Sequence, residues 1–196
     1  LAPWADALYA GDGKWWFLNA GLPEFEGAKF TCFREVRERY PALQFIECVN
    51  SGDDYEGCNR IITSRGYIGS GGNSGFQAIN LAVQLGACRI VLVGFDMRVD
   101  NGVHWHGEHR TELGNPGLDN VIKWRRILDE AASELVGMGV EIINASASSA
   151  LTSYPIMSLE KALNRDRDES APVMVQRRAR RARRTGTDLF GERVTG

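Results

Sequence analysis

The sequence predicts an α/β protein built around a mostly parallel sheet, and three observations carry that expectation. A glycine-rich turn over residues 66–75 runs directly into an apolar helix over 76–85. The β-branched run Arg89-Ile90-Val91-Leu92-Val93 follows it at once. An amphipathic segment over 119–136 then leads into a further strand over 140–144. Helix, strand, helix, strand is the alternation that builds parallel sheets through right-handed crossovers.

Taken in order, Ala7-Leu8-Tyr9-Ala10 is a short apolar run ended by Gly11-Asp12-Gly13, hence a strand and a turn. Residues 14–19, with Trp15, Trp16 and Phe17, read as a short helix stopped by Gly21 and Pro23. Residues 29–33 and 45–49 have β character, and 51–66 lack periodicity and read as a surface loop. The turn over 66–75 holds five glycines, and Ser74 followed by Gln77 has the capping-box form. Gly86 is placed as the C-terminal cap of that helix, which is apolar nearly all round and should lie against a sheet. A continuous run such as 89–93 suits a strand covered on both faces, ending at Gly94-Phe95-Asp96. The helix over 119–136 presents Val121, Ile122, Ile127, Leu128, Ala131, Ala132 and Leu135, and Gly137 and Gly139 stop it. A last short helix is expected over 158–163.

These elements fall in one domain of ordinary size over residues 1–163, followed by a charged tail over 164–196. The tail reads Arg-Arg-Ala-Arg-Arg-Ala-Arg-Arg over 177–184, a run that repels itself and buries nothing, so disorder is expected there. Residues 177–196 hold seven Arg against Asp188 and Glu192, so the net charge of −2 leaves the other 176 residues at −7. An acidic body with a basic tail is not the footprint of a nucleic-acid-binding domain; the tail suits an acidic partner. No run approaches the roughly 18 apolar residues of a membrane span, and no signal-peptide pattern opens the chain, so a cytoplasmic protein is expected. Leu1 in place of Met suggests processing or an excerpt of a longer protein. Cys32, Cys48, Cys58 and Cys88 are scattered without a Cys-x-x-Cys pair, so they read as reduced, mostly buried thiols. The aromatic group Trp4, Tyr9, Trp15, Trp16 and Phe17 reads as core or as the interface of a homo-oligomer.

Three features could carry chemistry. Around Gly72, Asn73, Ser74 and Gly75, glycines allow close backbone approach, and free amides at a helix start attract a phosphate. The spacing is neither Gly-x-Gly-x-x-Gly nor a Walker loop. Asp96 stands where ligands of open α/β sheets gather, beyond the carboxyl end of a strand. It could hold a ribose hydroxyl, a metal ion or a reacting proton, or simply cap the turn through Met97 and Arg98. All three histidines, His104, His106 and His109, lie within six residues. General acid–base work or phosphate contact is expected of His104 and His109, ahead of a metal site, because no second ligand cluster accompanies them; a solvated loop held by Trp105 is the alternative.

The segment from Gly72 to Gly86, continued by Ile90 to Asp96, resembles the family named after the archaeal hydroxymethylpterin diphosphokinases, which includes many phage and prophage proteins. It is similar also to the bacterial sialyltransferases of Rossmann-like fold. Both groups carry a Ser-Gly loop opening an apolar helix, then Leu-Gly, then a strand ending Gly-x-Asp, with a histidine in an aromatic setting shortly after, here His104. The resemblance implies a Rossmann-like fold with helices on both faces of the sheet and a nucleotide site. Gly72, Asn73, Ser74 and Gly75 would touch the nucleotide or nucleotide sugar, with Asp96 close by. These families usually open with a strand and a Gly-Pro-Ser-Leu type loop that forms the other half of the site. No such segment precedes Leu1 to Trp4, so the expectation is a fold lacking its N-terminal βα unit, or a site built differently.

The leading functional expectation is glycosyl transfer from a nucleotide sugar, with His104 or His109 as base and Asp96 orienting ribose or acceptor. An alternative is diphosphoryl transfer from ATP to a pterin-like alcohol, with Asp96 on Mg²⁺. A non-catalytic nucleotide- or partner-binding module with a basic tail is the third.

Overall fold

The computed structural model describes residues 2–49, 58–100 and 113–164. Its strands pair in parallel throughout. β1 (Ala7–Ala10) lies beside β2 (Ala28–Thr31), with Ala7 opposite Ala28, and β2 lies beside β3 (Gln44–Phe45). β4 (Glu47–Val49) continues β3 past Ile46 and pairs with β5 (Tyr67–Gly69). Ile46 N donates to Thr31 O at 3.0 Å and Glu47 N to Gly66 O at 2.8 Å, so successive amides serve opposite neighbours. The extended segment 44–49 therefore sits between β2 and β5. Further along the chain, β6 (Arg89–Leu92) pairs with β7 (Glu141–Asn144), and Asn144 adds a parallel bridge to Ile156.

Five helices, α1 (Gly13–Leu18), α2 (Arg34–Arg39), α3 (Ser74–Gln84), α4 (Leu118–Gly137) and α5 (Leu159–Asn164), connect or follow these strands. Side chains alternate across a strand, and β1 shows what that does. Leu8 and Ala10 pack with Trp16 of α1 and Val36 of α2, whereas Tyr9 packs with Phe30, Ile46, Ile68 and Leu81 of α3. The first sheet thus has α1 and α2 on one face and α3 on the other. α3 also contributes Phe76 and Ile79 to the cluster of Leu92, Ile127, Leu128, Leu135 and Ile142. It is the element that joins the β1–β5 half to the β6–β7 half.

Several details differ from the sequence reading. Tyr67 to Gly69, read as part of a turn, forms β5; a strand of three residues, one of them glycine, carries no visible periodicity. α2 has no side-chain cap at Phe33 and five charged residues in six, so it offers little local signal. Phe33 therefore lies outside β2. Ile122 of α4 is 51% exposed, and Val93 lies beyond β6 at 60% exposed. Within β6 only Leu92 is fully buried, so the strand is not enclosed on both faces among the described residues. Of the aromatic group, Trp16 is core, with Nε1 donating to Ala10 O at 3.0 Å, while Trp4 is 85% exposed. The four thiols are free and half-buried rather than buried. Gly86 does cap α3: its φ is +88°, and Ala87 N donates to Ala82 O at 3.0 Å.

Asp129 ties α4 to the segment after β7, accepting from Thr152 N at 3.0 Å, Thr152 Oγ1 at 2.9 Å and Ser153 N at 2.9 Å. Asp129→Ala is expected to cost about 1–2 kcal/mol, read as a lower urea midpoint with an unchanged m-value, since hydrogen bonds to a charged group are lost at a part-exposed site. Among the described residues no helix is long and apolar enough to cross a membrane.

Candidate functional site

The carboxyl ends of β1, β5 and β6 meet around the start of α3. Gly71 and Gly72, with φ of +51° and +69°, turn the chain out of β5 through two left-handed residues, which L side chains adopt at a cost. Asn73 then takes an extended conformation and caps the helix, its Oδ1 accepting from Phe76 N at 2.9 Å and its Nδ2 donating to Gly71 O at 3.1 Å. This corrects the capping box expected at Ser74 and Gln77. Ser74 Oγ instead accepts from Gly11 N at 3.2 Å, and Gln77, buried, accepts from Tyr9 Oη–H at 2.8 Å and donates to Ser70 O at 2.9 Å. Both side chains are drawn to β1 and the turn. The amides of Ser74 and Gly75, the first two of α3, have no intrahelical acceptor by the geometry of a helix start.

Two contacts place this helix start against the rest of the site. A Cβ on Gly75 would lie 2.9 Å from Phe95 Cε1, so the Phe95 ring rests directly on the first turn of α3. A Cβ on Gly72 would lie 3.3 Å from Trp124 Nε1, so the half-buried Trp124 of α4 lines the glycine turn.

The strand end at Asp96 is held by the loop after β7. Phe95 N donates to Ser146 Oγ at 2.8 Å, Ser149 Oγ donates to Phe95 O at 2.6 Å, and Ala150 N donates to Asp96 O at 2.9 Å. Met97 follows with φ +51°, and Arg125 Nε donates to its carbonyl at 2.6 Å. The Asp96 carboxylate itself stays exposed, with Ser148 Oγ at 3.5 Å from Oδ1. A cleft of about 430 Å³ opens beside it, lined by Arg98, Val99, Asp100, Leu118, Arg125 and Ala150. Arg98 pairs with Asp100 at 3.1 Å. Asn144, fully buried at the end of β7, accepts from Ser146 N at 2.9 Å, while its Nδ2 has no protein partner among the described residues. A buried donor of this kind calls for a water or a ligand atom.

Gly72, Asn73, Ser74, Gly75 and Asp96 are thus brought together at one edge. His104, His106, His109 and the Arg-rich tail lie outside the described residues. Among the described residues no group of three His, Cys, Asp or Glu gathers to hold a metal ion. Sequence reasoning missed Gly11, Trp124 and Asn80. Asn80 is the one with a legible signal, a polar residue that continues a stripe with Gln77 and Gln84 along a helix otherwise mostly apolar. It is fully buried, and it accepts from Gly69 N at 2.8 Å and Ile62 N at 2.9 Å while donating to Ile62 O at 2.8 Å.

No protein-family model, curated protein or solved structure matches the chain significantly.

Proposed function

We propose that this chain is the nucleotide-binding core of a transferase that moves a glycosyl group from a nucleotide sugar. The observation that carries the reading is the abutment of the α3 start, whose Ser74 and Gly75 amides have no intrahelical acceptor, on the Phe95–Asp96 strand end. Parallel sheets gather ligands at this edge, and a helix start favours an anion through its amides and dipole. In this reading the amides hold phosphate, the exposed Asp96 carboxylate accepts from ribose or acceptor hydroxyls, and Trp124 offers a ring edge to the base. The proton acceptor is then His104 or His109, from the segment that follows Asp96. The side chains of Asn73 and Ser74 act indirectly, by fixing the helix start and holding it to Gly11.

Thermal denaturation with CMP, UDP, GDP and ATP, each with and without Mg²⁺, tests the proposal. One pyrimidine or guanine nucleotide is expected to raise Tm without Mg²⁺, by the equivalent of about 2.7 kcal/mol at a hundredfold excess over Kd. Asp96→Asn is expected to weaken that binding about tenfold, as loss of a charged acceptor should. No stabilisation by any nucleotide overturns the reading. Stabilisation by ATP with Mg²⁺ alone favours diphosphoryl transfer, and binding without turnover of any nucleotide sugar favours a non-catalytic module.

A further inference from the structure

The cleft beside Asp96 carries a charge opposite to that of the body around it. Residues 1–176 sum to −7, yet the ionisable side chains lining the cleft are Arg98, Arg125 and Asp100, two cations against one anion. The two arginines are not equivalent. Arg98 is already paired with Asp100 at 3.1 Å. Arg125, half-buried on α4, uses only Nε, which donates to Met97 O at 2.6 Å. Among the described residues its two η nitrogens carry no hydrogen bond or ion pair. A guanidinium tethered at Nε holds the rest of its planar fork in one orientation, the geometry that grips a carboxylate or phosphate through two parallel bonds.

The surroundings suit a small ligand. Met97 takes a φ of +51°, a left-handed conformation that L side chains adopt at a cost, and the carbonyl it presents is the one that tethers Arg125. Val99, Leu118 and Ala150 supply apolar walls, and a volume of about 430 Å³ falls in the range of small-molecule sites. Ala150 N donates to Asp96 O at 2.9 Å, so the cleft and the strand end share a wall.

We propose that this cleft is the acceptor subsite, and that the acceptor carries an oxyanion, a carboxylate or a phosphate, held by the η nitrogens of Arg125. The name acceptor rests on the transferase reading; the preference for an anion does not. Charge then orients the molecule. The exposed Asp96 carboxylate repels the oxyanion and accepts from a hydroxyl, so the hydroxyl end lies toward Asp96 and the anionic end toward Arg125. Asp100 opposes an anion too, and Arg98 offsets it, which leaves the grip to Arg125.

Isothermal titration calorimetry of the full chain with glucuronate, glucose 6-phosphate and glucose tests this. At least one of the two anions is expected to bind about tenfold more tightly than glucose, and the better of the two tells carboxylate from phosphate. Arg125→Lys keeps the charge but not the fork, and is expected to weaken anion binding about tenfold. Asp100→Asn removes an opposing charge and frees Arg98, and is expected to tighten anion binding by about threefold to tenfold. A poorly folded variant cannot imitate that gain. Equal binding of the anions and glucose overturns the proposal, and so does anion binding that neither substitution changes, because the ligand is then held elsewhere. A nucleotide titration of the same sample separates the two claims. Nucleotide binding without a preference for the anions sinks the subsite alone. Anion binding without any nucleotide binding sinks the transferase reading, and with it the role as acceptor.

Discussion

Asn80→Ala is expected to destabilise the protein by about 3–5 kcal/mol, read from urea denaturation followed by tryptophan fluorescence. Asn80 is 0% exposed, and its one side chain satisfies three backbone groups: the amides of Ile62 and Gly69 and the carbonyl of Ile62. Alanine leaves the amides of Ile62 and Gly69 without that partner, each at a cost of about 1–3 kcal/mol, and leaves Ile62 O with only Gln84 Nε2 at 3.2 Å. The loss also falls on the candidate site, because Gly69 is the last residue of β5, from which the glycine turn departs. Asn80→Asp is expected to be severe too, since it removes the donor to Ile62 O and buries a charge. A cost below about 1 kcal/mol for the alanine variant would mean that water replaces the amide, and that β5 does not depend on it.

The second large effect is expected at Gly71→Ala, at about 3–4 kcal/mol, from two causes that separate experimentally. Its φ of +51° carries the left-handed penalty of roughly 1 kcal/mol for any residue with a Cβ. The added Cβ would also collide with Cγ and Cδ1 of Phe76, whose ring is fully buried and has nowhere to retreat. Gly94 supplies the control, with φ +76° and open space where its Cβ would be. Gly94→Ala should therefore show the conformational penalty alone, about 1 kcal/mol. Equal costs at the two positions would show that Phe76 repacks without penalty and that the turn is set by backbone preference only.

Both variants act on contacts whose partners lie within 18 residues along the chain, whereas the sequence was most legible at shorter range still. The 3.6-residue apolar period over 119–136, the β-branched run at 89–92 and the stop at Gly86 each arise from neighbouring residues. They determined α3, α4, β6 and β7 to within about two residues, and with them the parallel α/β class. The grouping of Gly72, Asn73, Ser74 and Gly75 at a helix start was legible for the same reason.

Tertiary structure decided the rest. Ser74 and Gln77 carry the local pattern of a capping box, yet each is taken by a partner more than 60 residues away, Gly11 and Tyr9. β5 and α2 are short and weakly patterned; pairing with β4 holds the first, and packing of Val36 against Trp16, Leu22 and Leu43 holds the second. Phe95 on Gly75 and Trp124 beside Gly72 follow from strand order and helix packing. A sequence states which faces are apolar and where elements stop, because those signals repeat along neighbouring residues. Which polar atoms meet across the carboxyl edge depends on the order and register of parallel strands, and those are set only when distant segments bury their apolar faces together.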